Sequence, residues 1–442
     1  MTTHKKFFST LLIAILLAVS LAPAHGIQAQ ATILTFLVND FADVADHTIN
    51  GECSAGSATG GPCTLRAATM EASHQAVGQS VIIQLPAGTY PLTIPPDPNN
   101  SKQTGDLDLG EPYGDRLIFI TAADLSGDYP LIDGSAIRDG IFNLQTTARI
   151  IMTHLALTGG VVESTTSSPR SGGAIHNEGS VELNDVLILG NSSICDSGYP
   201  GCSPRGGAIA NYGRLEINDS LIYLNEGDLG SAIYSQGWGG MHLNRTQIFS
   251  NITHTSAVHI EENPGVNIVN SVISNNASPY GYTYGLRVAC CADVTITAST
   301  FVHLGQGYSI FLGRIGAPQP VNITISDTIL YSEDQNCLST YGATWSGVGY
   351  NIDNNGTCAD LTGLGNLLNT DPMLAMKPTL FGFDPTHKPL PGSPAVNHRS
   401  SPCTDLGSPL LVDQRGIPRL DGRCDTGAFE LNLPVYLPAV LK

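Results

Sequence analysis

The sequence predicts an all-β chain built as a parallel β-solenoid, with coils of about 24 residues and a short helical cap at the N-terminal end. The first reason is a repeat. Segments beginning Gly173-Ala174-Ile175, Gly207-Ala208-Ile209, Ser231-Ala232-Ile233, Ser256-Ala257-Val258, Tyr284-Gly285-Leu286 and Tyr308-Ser309-Ile310 follow one another at steps of 34, 24, 25, 28 and 24 residues. A period in the twenties without helical spacing marks a solenoid, and the Leu-x-x-Leu-x-Leu frame of leucine-rich repeats is absent. The second reason is alternation. Val181-Glu182-Leu183, Leu215-Glu216-Ile217 and Met241-His242-Leu243 each set apolar residues two apart ahead of an Asn, the period of a strand with one buried face. Composition is the third: 48 Gly and 27 Pro among 442 residues, with only 13% charged, favour strands and turns over helices.

Residues 1–31 have the form of a secretory signal peptide: Lys5 and Lys6, an apolar run over 7–21, then small residues at Ala22, Ala24, Ala29 and Ala31. The mature chain then carries no transmembrane span, and export to an oxidising compartment suits its 10 cysteines. Four local pairings are expected: Cys53 with Cys63, Cys195 with Cys202, Cys337 with Cys358, and Cys403 with Cys424. The adjacent Cys290 and Cys291 fall outside this scheme and stay open as free, buried or regulatory. A solenoid exposes its core at each end and needs caps. Residues 64–75 fit the first cap as a helix with Leu65, Ala68, Ala72 and Ala76 on one face, its start tied by Cys63. Coils are expected over 80–350. Stacking sets like residues about 4.8 Å apart, so Asn184, Asn218, Asn244 and Asn270 are expected to form an amide ladder and Asn177 with Asn211 a shorter one. The sequons at Asn191, Asn218, Asn244, Asn251 and Asn322 then arise from ladders and turns, not from glycosylation.

Three stretches carry a family resemblance. Phe36-Leu37-Val38-Asn39-Asp40, followed by Cys63-Thr64-Leu65-Arg66-Ala67-Ala68 and Glu71-Ala72, resembles the CSLREA domain of exported bacterial proteins over 32–79, with Thr64 and Ala67 replacing the family's Ser and Glu. Gly105-Asp106-Leu107-Asp108-Leu109 and the Gly-Gly-Ala-Ile units resemble right-handed parallel β-helix repeats. Asn369-Thr370-Asp371-Pro372, Pro391-Gly392-Ser393-Pro394-Ala395, Asp413-Gln414-Arg415-Gly416 and Cys424-Asp425-Thr426-Gly427-Ala428-Phe429-Glu430 resemble the choice-of-anchor Q module over 351–431. This last departs at Val396-Asn397-His398, where the family reads Ile-Asp-Ala. The resemblance implies an exported, surface-associated right-handed parallel β-helix of a kind rarely assigned a reaction. Residues 432–442 form an apolar tail too short to span a bilayer, either a sorting signal or a docking strand.

A formal net charge of −18, with Lys and Arg scattered singly, argues against nucleic acid or anionic lipid as partner. Stacking converts sequence offsets into distances. Glu182 and Glu216 occupy the same offset in adjacent units, and Asp185 and Asp219 repeat the pattern, with His242 and Arg245 one unit on. Four carboxylates so placed suit Ca²⁺ and a base, as in lyases of this fold, or the acid and nucleophile of a glycosidase; the plainer reading is solvated positions of similar repeats. A second outward stripe runs His176, Ala210, Tyr234, His259, Arg287 and Phe311, a candidate platform for sugar rings that Trp238 and Trp345 would extend. Asn351, Asp353, Asn355 and Gly356 imitate the start of a calcium loop, but its twelfth position is Thr362, so a turn held by Cys337 and Cys358 is preferred. Nucleophile-elbow, phosphate-loop and zinc-protease motifs are absent. The resulting expectation is a secreted, surface-held monomer that binds or organises extracellular polysaccharide or a partner surface without catalysis. A polysaccharide lyase or glycoside hydrolase, and a structural envelope stalk, are the alternatives.

Overall fold

In the computed structural model the described residues are 33–431, except 76–77, 98, 100–102, 111–115, 146–147, 165–170, 196–201, 277, 279–280, 314–320, 341–342, 377–385 and 421. The signal-peptide and tail segments lie outside them. The chain is a parallel β-helix: successive coils pair strand on strand in parallel, and every repeat step read from the sequence is a register step. Ile175 opposes Ile209, Ile209 opposes Ile233, Ile233 opposes Val258, Val258 opposes Leu286, and Leu286 opposes Ile310. One inward row alone runs Leu34, Val81, Ile118, Ile150, Val181, Leu215, Met241, Val266, Val294, Ile323 and Trp345. The period of two that sets these residues apart from their polar neighbours is what turns them into a single core. The ladder extends past 80–350 at both ends. Strand Leu34–Leu37 pairs with Ser80–Leu85, and Ile352–Asp353 pairs onward with Leu367–Leu368. Trp345 therefore packs against the core at the end of its row and does not extend an outer platform.

The corners are held by amides. Asn218 Nδ2 donates to Asn184 Oδ1 at 3.1 Å and Asn244 Nδ2 to Asn218 Oδ1 at 3.4 Å, the outer ladder expected. Asn270 leaves it. Val269 is the residue opposite Asn244, and Asn270 sits one place on, in the left-handed turn also taken by Asp185, Asp219 and Arg245. Asn tolerates that conformation, so the amide symbol recurs while the position shifts. The stronger ladder is buried and was not foreseen: Asn191, Asn225, Asn251 and Asn276 link amide to amide at 2.9–3.0 Å, and each also donates to a carbonyl inside the corner. Asn177, Asn211, Ser235 and Asn263 make a third stack. Burial of Asn191 and Asn251 closes those two sequons to glycosylation in the folded chain.

The N-terminal cap is helix Leu65–His74, capped by Thr64 Oγ1 accepting from Ala67 N at 3.1 Å. Two of the residues that carry the cap's resemblance are buried ties. Arg66 pairs with Asp43 at 2.6 Å with both side chains at 1% exposure, and Asp43 also accepts from Thr93 N and Ile94 N. Glu71 accepts from Asn50 N and Gly51 N, both at 2.8 Å. The four expected disulfides form, and Cys290 and Cys291 join each other. Cys291 occupies a left-handed corner. Among the described residues no helix is long and apolar enough to cross a membrane.

After Leu367–Leu368 the chain turns back along the outside of the coils. Leu374 and Ala395 pack on Val302, Ile329 and Ile352, Arg399 pairs with Asp327 at 2.8 Å, and Cys403 and Cys424 pack on Ala298. Val412 and Arg419 then bind the two ends of the Asn270 amide, at 3.1 Å each. From a turn at 413–416 the strap returns, with Gly427 N on Asp327 O, Ala428 N on Thr300 Oγ1 and Thr426 Oγ1 on Tyr350 O. The C-terminal segment is thus a strap along the left-handed corners.

The buried ladder gives a direct stability prediction. Asn225→Ala leaves the Asn191 amide and the Ile188 and Tyr223 carbonyls without a donor or acceptor they now use, a loss of about 2–4 kcal/mol by the cost of buried unsatisfied polar groups. Asn184→Ala, on the outer ladder, is expected to cost under about 1 kcal/mol. Thermal unfolding of the two variants side by side checks the contrast.

Candidate functional site

The outward stripe is in register over nine coils: Asp108, Asn143, His176, Ala210, Tyr234, His259, Arg287, Phe311 and Leu338 oppose one another in sequence. Its exposure differs from expectation. Tyr234 is 0% exposed, and His259 and Phe311 are 2% exposed, so these residues are not an open platform. A bend accompanies the burial of Tyr234. Just before each of the early units a glycine with positive φ (Gly172, Gly206, Gly230) turns the sheet, and a Cβ at Gly172 would lie 2.2 Å from the Ile175 carbonyl. The strand arms on either side of that bend face each other across a crease. Arg205, on the leading arm, lies 4.8 Å over the Tyr234 ring. Tyr284 stacks on Phe311 at 4.8 Å, and Tyr234 stacks on His259 at 5.5 Å. Side chains on one arm thus cover the other in the later coils. Trp238 stands apart at a corner, 86% exposed.

In the early coils the crease is open. There Asp106, Asp139, Asn143, Gln145, Ser171, His176 and Glu178 line a cavity of about 320 Å³. His176 Nδ1 lies 3.1 Å from Ser171 Oγ, which lies 3.3 Å from the Tyr212 hydroxyl, and His176 Nε2 reaches Glu178 at 3.5 Å. Asn143 Nδ2 donates to Asp108 Oδ1 at 2.8 Å. The cleft therefore presents carboxylates, amides and an imidazole within one small volume. Asp106, Asn143, Gln145 and Glu178 were not singled out from sequence. The available signal was the Gly105–Leu109 run, whose Asp108 begins the row.

The carboxylate cluster divides in two. Glu182 and Glu216 oppose each other on adjacent strands as expected, and with Arg149, Ser180 and Arg214 they line a second cavity of about 330 Å³. Each has a cation: Arg149 lies 3.8 Å from Glu182 and Arg214 lies 3.2 Å from Glu216. Asn184 and Asn218 donate to them at 3.0 and 3.4 Å. Asp185 and Asp219 sit around the corner, in left-handed turns. Asp219 receives a bidentate Arg245 at 2.5 Å, while Asp185 accepts from the Tyr129 hydroxyl at 2.5 Å and lies 2.6 Å from His154 Nδ1. The turn separates the two acid pairs, so the four-carboxylate Ca²⁺ arrangement is not assembled. Among the described residues no group of three or more His, Cys, Asp or Glu side chains is placed to hold a metal ion. The Asn351 to Asn355 motif is a buried turn: Asp353 accepts from Asn336, Asn355 N and Cys358 N beside the Cys337–Cys358 bridge.

No family model matches the chain, and no curated protein matches it. Among solved structures it is similar to a crystal structure of pectate lyase Pel9A at 12% identity and a TM-score of 0.41, over 90% of this chain and 96% of that one.

The filled crease carries a pH consequence. Burial, and then the Arg287 and Arg205 guanidiniums, pull the His259 imidazole from 6.5 down to about 3. Its neutral form fits the fold, so the stability it contributes is complete above about pH 6.5 and is lost as pH falls toward 3, because the unfolded chain takes up the proton first. His259→Phe is expected to spare about 2 kcal/mol of the stability lost between pH 6 and 4. Urea unfolding at the two pH values reads the difference.

Proposed function

We propose that this is a secreted, cell-surface-associated β-helix protein that binds extracellular polysaccharide along its side, in an adhesion-type role without turnover. The observation that supports this above the others is the open end of the crease, where amides, carboxylates and His176 share one cleft of about 320 Å³. Neighbouring sugar hydroxyls act as donor and acceptor together, and planar amide and carboxylate groups match such pairs two bonds at a time. Residues 177–179 form the corner between His176 in this cleft and Ser180 in the Glu182 and Glu216 groove, so a polymer passing around that corner meets both. Five disulfides suit an oxidising compartment outside the cytosol. Catalysis would need one of the paired acids to work as acid, base or nucleophile. Here Glu182 and Glu216 are engaged by Arg149 and Arg214, an arrangement that suits hydroxyl recognition.

The test is incubation of the purified chain, with Ca²⁺ and with chelator, against plant, algal and bacterial polysaccharides, scoring retained polymer and released oligosaccharide together. Retention without products is expected, weakened by His176→Ala and Asn143→Ala by about ten-fold, the worth of a hydrogen-bonding group or two. Glu182→Gln with Glu216→Gln is expected to change retention only modestly. Shortened or unsaturated products that vanish in Glu182→Gln would overturn the reading in favour of a lyase or hydrolase. Neither signal would leave a structural stalk.

A further inference from the structure

The motif Asp413-Gln414-Arg415-Gly416 forms the far turn of the C-terminal strap, and its construction is specific. The Asp413 carboxylate accepts from Arg415 N, Ile417 N and Glu430 N and pairs with the Arg415 guanidinium at 2.6 Å, while Arg415 lies 3.4 Å over the Phe429 ring. These contacts fix the turn without using Gln414. Its side chain is 3% exposed, and neither Oε1 nor Nε2 meets a protein partner. It lines a cavity of about 280 Å³ between strap and solenoid. Gln247, 7% exposed, lines the same cavity from the solenoid side, and its Oε1 has no protein partner. Two buried amides with unused hydrogen-bonding capacity on one cavity are costly unless something fills them.

The rest of the lining says what. Asp219 pairs with Arg245 and Arg415 with Asp413, while Asp185 is held by the Tyr129 hydroxyl and His154 Nδ1. Leu187 and Leu221 supply an apolar floor that belongs to a cluster with Ala156 and Phe249, beside the stacked rings of Tyr223 and Phe249 at 5.1 Å. The floor follows from register: Ala156, Leu187, Leu221 and Gln247 form one outward row, and Val272, next in that row, lies toward the coils the strap covers. An apolar floor, guanidiniums already paired and amides needing both donors and acceptors describe a neutral, polyhydroxylated ring.

We propose that this junction is a second carbohydrate subsite, which takes one neutral hexopyranose unit of a polysaccharide between Gln414 and Gln247. It rests on the polysaccharide reading above and names the sugar class. Because both guanidiniums are already taken by carboxylates, Arg245 by Asp219 and Arg415 by Asp413, a uronate would bring a carboxylate with no free cation to receive it.

The experiment titrates the full chain with neutral hexaoses of glucose, mannose and galactose, and with hexagalacturonate, by calorimetry. Gln414→Leu and Gln247→Leu are followed for binding and for Tm. At least one neutral series is expected to bind more tightly than hexagalacturonate and to weaken about ten-fold or more in each variant. Tm is expected to hold or rise, because an apolar isostere replaces an unmatched amide. Binding unchanged in both variants, preference for hexagalacturonate, no neutral oligosaccharide bound, or a Tm fall of more than about 5 °C in both variants would each overturn the proposal; the last would make the amides structural. His176→Ala run in parallel separates the two readings: retention lost there but kept in Gln414→Leu leaves the crease as the binding site and removes the junction.

Discussion

Everything in this molecule depends on register, and register depends on buried amides. Apolar rows alone would permit a coil to slide along its neighbour by two residues, since the inward face would still be apolar. An Asn at a corner permits no such slip. Asn225 takes its place only when Asn191 lies above it and Asn251 below it, each amide bonding the next while also closing a carbonyl of its own corner. A displaced coil would leave several polar atoms unpaired inside the protein, at a cost of about 1–3 kcal/mol each. The side chains on the outer faces inherit their alignment from this. The pairing of Glu182 with Glu216, and the crease row from Asp108 to Leu338, are secondary consequences of amides that point the other way.

The same logic accounts for where the outer surface is open. The glycine bend brings two strand arms together, and what fills the space between them is decided coil by coil. Tyr234, His259, Tyr284 and Phe311 with Arg205 and Arg287 fill the later coils with rings and guanidiniums. In the early coils the same positions hold Asp108 and Asn143, which carry no ring, and His176, which meets only the small Ser171 across the crease. A packed seam and a polar cleft thus share a single face, distinguished by the side chains that each coil sets against one another.

Much of this was legible in the sequence because solenoid stacking is one-dimensional: a repeat step is a register step, and the steps of 34, 24, 25, 28 and 24 each reappear as strand partners. The alignment of Glu182 with Glu216 and of Tyr234 with His259 followed from counting. What counting does not reveal is curvature. A row of outward residues reads the same whether the sheet is flat or folded on itself, so the burial of Tyr234 and His259 was invisible while their register was not. The buried ladder escaped for a related reason. Asn191 and Asn251 stand in sequons, and nothing local separates an Asn in a corner core from one in a turn. Asn270 shows the converse, a recurring residue type whose position had moved by one.

The strap explains why the left-handed corners differ so much in side chain while sharing one backbone conformation. His154, Asp185, Asp219, Arg245, Asn270, Ala298, Asp327 and Tyr350 all take positive φ there. Where the strap lies on them, each is matched to what it meets: Asn270 to Val412 and Arg419, Ala298 to the Cys403–Cys424 bridge, Asp327 to Arg399. Burial raises the Asp327 carboxyl to about 6 despite the neighbouring Arg399 guanidinium, so desolvation outweighs the attraction at that contact. The charge there specifies position more than it adds affinity, and the apolar contacts of Ile329 and Ile352 with Leu374 and Ala395 supply the hold. Where the strap ends, the corners change character. Asp219 and Arg245 pair with each other, Asp185 accepts from Tyr129 and lies against His154, and Gln247 and Gln414 line a cavity with buried amide atoms that have no protein partner. Single buried atoms also go unmatched elsewhere on the strap, at His387 Nε2, Asn397 Oδ1 and Asp405 Oδ1, but among its described residues Gln414 alone has both ends of its amide buried without a protein partner.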